Sequence, residues 1–363
     1  MATEKKRTIR PIVRLAISMG CPCSIGPEVA VRAALDLEKR DRRAYPLIIG
    51  DLEAARAGAR AAHIDERRVV KVRTPQDAWD YAWRGAIFVH ETQAPLAAGD
   101  RKPGKPTAAS GAAQLGWIDD ALDLVTGGEA DALVTGPVSK DAIARSGARG
   151  ASSFRGHTEH LARRLDAGDV TMAFYSDGLV SSLVTTHLPI AKVPRAITRE
   201  AVARAIVHTA ELVSLVPSEA HRRCIAVASL NPHAGEAGLL GGEEATAIAP
   251  GIALAKKQIE KAKLRVAVEG PVGAETAFRR ANLGWFSAVV AMYHDQATIP
   301  MKLSSFGSTV NVTVGLPVVR TSVDHGTGYD IAGKGEAESH GMLHAMALAA
   351  QLWRAREKRR RRR

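Results

Sequence analysis

The sequence of 363 residues predicts an α/β fold with a largely parallel sheet or sheets. Short β-branched runs alternate with stretches of helical periodicity, the pattern of successive βα units. The most polar, turn-rich segments fall at the ends of those runs, where α/β sheets bind their ligands. Leu15–Ser18 reads as a strand, followed by a turn through Gly20–Gly26 and a helix opened by Pro27, with Glu28 in its first turn. Pro46–Gly50 is a second strand and Asp51–Ala62 a helix. Ala108–Val125 has helical spacing. Asp131–Thr135 is a strand, ended by Gly136-Pro137 before a helix from Lys140. Further strands are Leu179–Thr185, Ile225–Ser229, Leu264–Val268, Ala288–Met292 and Val310–Val314, with helices such as Glu200–Leu212 between them. No repeat and no linker stands out, so a domain boundary requires a chain that crosses between domains more than once.

Composition excludes several classes. Apolar residues make up 46% and charged residues 24%, which is ordinary for a globular chain and not for a disordered, collagenous or disulfide-scaffold one. The longest apolar runs, such as Ala288–Met292, are far shorter than the roughly 18–20 residues that cross a bilayer. The net charge of +12 is concentrated at the ends, because Met1–Arg14 carries five basic residues with Glu4 and Arg354–Arg363 carries eight with Glu357. Such runs are expected to be solvated tails, and the Arg359–Arg363 run alone does not make a nucleic-acid site. Met1–Arg10 is followed by no apolar segment with a cleavage site, and Cys21, Cys23 and Cys224 form no C-x-x-C or zinc spacing. A reducing cytoplasm is the expected compartment.

Three histidines stand at predicted strand ends: His187 after Thr185-Thr186, His233 in Ser229-Leu230-Asn231-Pro232-His233, and His294 in Met292-Tyr293-His294-Asp295-Gln296. They are open to two readings. One is a divalent-metal site with free positions for substrate oxygens, suiting zinc or cobalt and admitting magnesium. The other is three unrelated histidines that cap strands. Gly156-His157-Thr158-Glu159 opens a helix, where outward N–H groups favour an anion or hydroxyl, or where Thr158 and Glu159 serve only the helix. Lys302, Asn311 and Arg320 form a second polar group suited to phosphate or carboxylate. Asp324-His325-Gly326-Thr327-Gly328 is a Gly-rich turn able to approach a nucleotide. G-x-G-x-x-G and Walker A patterns do not occur, which argues against a dinucleotide-binding Rossmann site or a P-loop kinase.

These residues resemble a known family. Gly20-x-Pro22-x-x-Ile25-Gly26-Pro27-Glu28, Val134-Thr135-Gly136-Pro137-Val138-x-Lys140, Gly156-His157-Thr158-Glu159, Thr186-His187-Leu188-Pro189, Asn231-Pro232-His233-Ala234-Gly235-Glu236, the His294 block and Arg320-Thr321-Ser322-Val323-Asp324-His325-Gly326-Thr327 are similar to the signature blocks of 4-hydroxythreonine-4-phosphate dehydrogenases. They stand in the family's order between about residue 14 and residue 350. The resemblance implies an isocitrate/isopropylmalate dehydrogenase-like fold of two α/β domains, 1–130 with 305–363 and 131–304, with the active-site cleft between them. It implies a homodimer in which His187, His233 and His294 bind a metal shared across the interface. It places His157, Thr158, Lys302, Asn311 and Arg320 on substrate-binding positions. The implied reaction is NAD- or NADP-dependent oxidation of 4-phosphooxy-L-threonine and decarboxylation to 3-amino-2-oxopropyl phosphate. Lys302 and Asp295 are the candidates for handling protons.

The chain also departs from the family. Where the first block normally reads G-D-P-x-G-I-G-P-E, Cys21 replaces the Asp, Cys23 stands in the variable place and Ser24 replaces a Gly, which would carry a cost if the turn needs φ > 0. Glu275 stands where Asp is commoner. Ile299-Pro300-x-Lys302-Leu303 is more similar to a paralogue acting on 4-phospho-D-threonate and 4-phospho-D-erythronate. His187-Leu188-Pro189-Ile190 is more similar to the vitamin B6 enzyme. A relative acting on a cyclic dihydrodiol ranks behind both. A member that binds a metabolite without turnover is the alternative from another class, motivated by Cys21 and Ser24.

Overall fold

The computed structural model describes residues 11–362 except 81–84, 177–178, 218–222 and 306. The basic segment Met1–Arg10 and Arg363 therefore lie outside the described residues. The chain forms two compact units, the first from Met1–Ser152 and Gly326–Arg363, the second from Ser153–His325.

In the first unit β1 (Val13–Ser18), α1 (Gly26–Arg40), β2 (Ala44–Ile49), α2 (Leu52–Ala61), β3 (Val69–Val72), α3 (Pro75–Asp80), β4 (Ile87–His90), α4 (Ala108–Thr126), β5 (Ala132–Thr135) and α5 (Lys140–Arg145) follow one another. The strands run in the order β3-β4-β2-β1-β5, and every pairing among them is parallel. β1 and β5 are apolar almost throughout because helices cover both sides, as a parallel sheet requires. The helices start where their sequence provides a cap. Asp51 accepts from the Ala54 N–H for α2, and Thr107 with Ser110 makes a reciprocal capping box for α4. The expected crossing between domains at 130/131 differs from the division at 152/153, because β5 pairs with β1 in register, Leu15 beside Ala132.

The second unit holds α6 (His157–Arg164), β6 (Thr171–Ser176), β7 (Leu179–Leu183), α7 (Val193–Ala196), α8 (Arg199–Leu215), β8 (Cys224–Ala228), α9 (Ala249–Lys261), β9 (Ala267–Val272), α10 (Ala274–Asn282), β10 (Ala288–Ala291), α11 (His294–Ser305), β11 (Val310–Val314) and β12 (Arg320–Val323). Its strand order is β12-β11-β6-β7-β10-β8-β9. The half from β7 to β9 is parallel, but β6, β7, β11 and β12 pair antiparallel. This corrects the expectation of a largely parallel sheet here. Because β11 and β12 belong to this sheet, the second crossing falls at 325/326 and not at 304/305. The expected strand Leu264–Val268 is displaced to Ala267–Val272, since the chain is still turning at Lys263, where φ is 53°. Alternate residues of β6, β7, β8 and β10 pack with Phe278, Ala281, Phe286, Ala297 and Met301 into one apolar cluster, which anchors α10 and α11 beneath the strand ends.

The chain then returns to the first unit in α12 (His340–Arg360). The expected solvated basic tail is helical through Arg360. Arg354 is drawn in by an ion pair with Asp41 and hydrogen bonds to the carbonyls of Arg43 and Pro11. Ser24 needs no left-handed backbone. Its hydroxyl donates to the Cys21 carbonyl at 2.7 Å and accepts from the Gly26 N–H at 2.9 Å, so the side chain closes the turn itself. Cys21 and Cys23 are fully buried. Hydrogen bonds from Cys23 and then Tyr329 hold the Cys21 thiol down at about 7 against its burial.

Candidate active site in the second unit

Three strand ends carry the three histidines, and hydrogen bonds tie those ends together. Thr185, two residues before His187, places both its N–H and its hydroxyl on the Met292 carbonyl, at 3.1 and 2.7 Å. Gln296, in the first turn of α11, accepts from the Met292 N–H at 2.7 Å and donates to the Ser229 carbonyl at 2.8 Å. The loops after β7, β10 and β8 are thus fixed relative to one another by the side chains of Thr185 and Gln296 and by the Thr185 N–H.

His187 and His294 come together with ring centres 5.5 Å apart. Asp295 bonds to His294 Nδ1 at 2.7 Å, leaving Nε2 as the outward nitrogen. His233 does not complete a set with them, because among the described residues no three His, Cys, Asp or Glu side chains converge as metal ligands. It stands instead at the head of an unusual turn. His233, Ala234, Gly235, Glu236 and Ala237 all have left-handed backbone, with φ between 44° and 79°. A left-handed conformation costs roughly 1–2 kcal/mol per non-glycine residue, and Gly235 is the only glycine of the five. Contacts around this turn must offset that cost.

Two of the five expected substrate-position residues, Asn311 and Arg320, lie on β11 and β12. Asn311 faces Ser322 across the antiparallel pair, and the period of two puts Thr313 and Arg320 on the same face. Arg320, 2% exposed, donates from Nη1 to Thr313 Oγ1 at 2.9 Å, and Thr313 Oγ1 lies 3.2 Å from Thr158 Oγ1. The line Thr158–Thr313–Arg320 joins the start of α6 to the sheet. Burial pushes the Arg320 guanidinium down from its ordinary value, and the charge of Glu159 opposes that shift. The Oδ1 of Asn311 is buried with no hydrogen-bond partner among the described residues, an acceptor open to a donor from outside. His157, at the first position of α6, stacks edge-on against Phe154 at 6.1 Å.

Lys302 lies exposed in the last turn of α11. Its charge and that of His294 bear on Asp324, whose carboxyl is nevertheless raised above its ordinary value by burial. The histidine pair, Lys302 and Asp324 thus form one charged group, and Arg320, Thr158 and Asn311 form another.

The family model described as pyridoxal phosphate biosynthetic protein PdxA matches residues 42–349. The chain belongs to that family. The 4-hydroxythreonine-4-phosphate dehydrogenase of Geobacter metallireducens is 39% identical over 344 residues, covering 93% of this chain and 95% of that relative. A Bradyrhizobium diazoefficiens relative named as a D-threonate 4-phosphate dehydrogenase is 37% identical over 359 residues, covering 93% of this chain and 96% of its own. The crystal structure of a 4-hydroxythreonine-4-phosphate dehydrogenase from Burkholderia phymatum has a TM-score of 0.74 at 34% identity, covering 94% of this chain and 98% of its own. As a PdxA-family member, the chain is an oxidoreductase.

In this PdxA-family structure Thr313 and Gln296 join the site as residues that position others. Thr313 lies two residues beyond Asn311 on one strand, a spacing that could have marked it. Gln296 closes the Met-Tyr-His-Asp-Gln block, but its residue type alone gives no sign of its role. Among the described residues no helix is long and apolar enough to cross a membrane.

Proposed function

We propose that this enzyme oxidises 4-phosphooxy-L-threonine with NAD or NADP and a divalent metal, and that loss of carbon dioxide then gives 3-amino-2-oxopropyl phosphate. The observation that carries the reading is the buried Arg320 guanidinium, aligned through Thr313 with Thr158 and flanked by the open acceptor of Asn311. A desolvated cation beside hydroxyls and a helix N-terminus is built for a phosphate.

The donor chemistry of His187 and His294 fits zinc or cobalt, whose affinity for imidazole is high, and substrate oxygens would make the site acceptable to magnesium. His233 is assigned as the third ligand, reaching the pair from a second copy of the chain. A homodimer is supported by the apolar side chains left exposed. Leu188 and Ile190 follow His187, Leu239 and Leu240 follow the His233 turn, and Ile299 and Leu303 lie on the helix that His294 opens, all at least 42% exposed. When bound, the metal would favour ionisation of the substrate hydroxyl and polarise the carbonyl that oxidation produces, while the nicotinamide takes the hydride.

The chain's own residues bind and orient. Arg320, Thr158, His157 and Asn311 hold the phosphate end of the substrate away from the reacting carbon. Asp295 fixes the His294 tautomer. Lys302 handles the hydroxyl proton at Nζ, beside the Asp324 carboxyl. The cofactor is assigned to the first unit, at the loops after β1 and β5, where the strand order reverses direction and parallel sheets bind nucleotides. Ser24 supports turnover over the binding-only alternative, since it replaces the glycine with a cap rather than with strain.

A second reading, 4-phospho-D-threonate as substrate, rests on Ile299-Pro300-x-Lys302-Leu303 and on the similarity to the Bradyrhizobium relative. NADH formation by metal-loaded protein with both substrates side by side decides between them. A preference of about tenfold in kcat/KM, roughly 1.4 kcal/mol, assigns the substrate, and silence with both overturns the dehydrogenase reading.

A further inference from the structure

The left-handed turn at His233 is held by a carboxylate that binds neither substrate nor metal in the scheme above. Glu244 opens a π-helical turn, Glu244–Ile248, that runs into α9, and it is 6% exposed. Its Oε1 accepts from the backbone N–H of Leu230 at 2.9 Å and of Asn231 at 2.8 Å, and its Oε2 accepts from Asn231 Nδ2 at 2.9 Å. Glu243 Oε2 also accepts from Asn231 Nδ2, at 2.8 Å. The two residues that lead into Pro232-His233 are therefore gripped by one buried anion. Two glycines let the parts approach. A Cβ on Gly235 would stand 2.8 Å from Glu244 Oε2, and one on Gly241 would stand 2.3 Å from Asn231 Nδ2. Burial pushes the Glu244 carboxyl up, but the hydrogen bonds from Asn231 and Leu230 together outweigh it and hold the group below its usual range.

We propose that Glu244 is a positioning residue for His233. Its carboxylate fixes residues 230 and 231, so that the chain enters the left-handed turn in one conformation and presents His233 to the divalent metal. This rests on the reading of His233 as a ligand. Gln296 extends the hold, since it ties the Ser229 carbonyl to the strand end that carries His294. A glutamine at 244 cannot replace the anion, because its amide N–H groups meet donors from Asn231 or Leu230 whichever way it is turned.

The test uses the full-length chain with Zn²⁺ and Co²⁺ as probes. Affinity is measured by competition with a chromogenic chelator, together with the visible spectrum of the Co²⁺ form and the melting temperature without metal. E244Q is expected to weaken Zn²⁺ binding by about 10- to 100-fold, the usual range for a group that orients a ligand, and to change the Co²⁺ spectrum. A carboxylate with only a structural role would lower the melting temperature and leave the affinity and spectrum of the folded protein unchanged, which overturns the proposal. H233A is measured in parallel. Unchanged affinity in H233A sinks the ligand reading itself, whereas loss in H233A without loss in E244Q sinks only the positioning role. If E244Q fails to fold, N231A removes one donor and keeps the anion. A smaller loss of affinity with an altered spectrum is then expected, and unaltered binding refutes the inference.

Discussion

Replacing Thr313 with valine keeps the shape of the side chain and removes one oxygen. That oxygen accepts from Arg320 Nη1 at 2.9 Å and lies 3.2 Å from the Thr158 hydroxyl. Arg320 is 2% exposed, so water cannot take the vacated place. A hydrogen bond to a charged group is worth about 1.5–3 kcal/mol, and losing it from the phosphate-binding line should lower kcat/KM by about 10- to 150-fold. The loss should fall on KM, with kcat nearly unchanged, because the phosphate end is remote from the carbon that is oxidised. Steady-state NADH formation with T313V and the unaltered enzyme, using both phosphorylated substrates, measures it. A kcat/KM within twofold of the unaltered value for both would refute the assignment of this face to phosphate recognition.

Three further outcomes are expected. Burial weighs against the charge of the Arg320 guanidinium, but a guanidinium keeps its proton in folded proteins, so the cation that attracts an anion persists at alkaline pH. Inorganic phosphate inhibition should therefore hold nearly constant from about pH 8 to about 9.5, where the phosphate is a dianion throughout, and a steep loss over that range counts against Arg320 as the anion-binding cation. In α4, Gly111→Ala should destabilise, although alanine normally improves a helix by roughly 0.5–1 kcal/mol. The new Cβ would stand 2.0 Å from the Ala142 carbonyl oxygen, and a melting temperature that rises instead would show that α5 can yield. Leu303, 83% exposed on α11, should support the proposed dimer. L303D is expected to sediment as a monomer, and a tight dimer would remove this helix from the interface.

The parallel part of the fold was legible because its strands are β-branched and buried on both sides, then stop at Gly or Pro, as at Val134-Thr135-Gly136-Pro137. In the antiparallel part β7 and β11 were legible as strands, but their direction and their partners β6 and β12 were not. β6, Thr171–Ser176, mixes Met, Ala and Phe without alternation, and β12, Arg320–Val323, looks like a polar motif because it places a buried arginine in the sheet. β3 and β4 are four residues each, too short for a period to show. At the site, histidines and an arginine announce themselves by residue type. The residues that hold them do not, since Thr313, Gln296 and Glu244 matter only through partners 4 to 155 positions away. The tail is solvated as expected at Lys358, Arg360, Arg361 and Arg362, but charge density hid its helix and the ion pair from Arg354 to Asp41.

The chain's path through the first unit has a consequence for its synthesis. α12 packs against α1 and β1, with Met342, Ala345, Met346 and Ala349 fully buried, yet the 173 residues of the second unit lie between it and the N-terminal segment of its own unit. At about 5–20 residues per second, the ribosome needs roughly 9 to 35 seconds to translate that stretch. For that interval the apolar side of α1 has no lid, while the second unit is free to finish. A nascent chain arrested between residues 325 and 340 should therefore carry one protease-resistant body and one that chaperones still recognise.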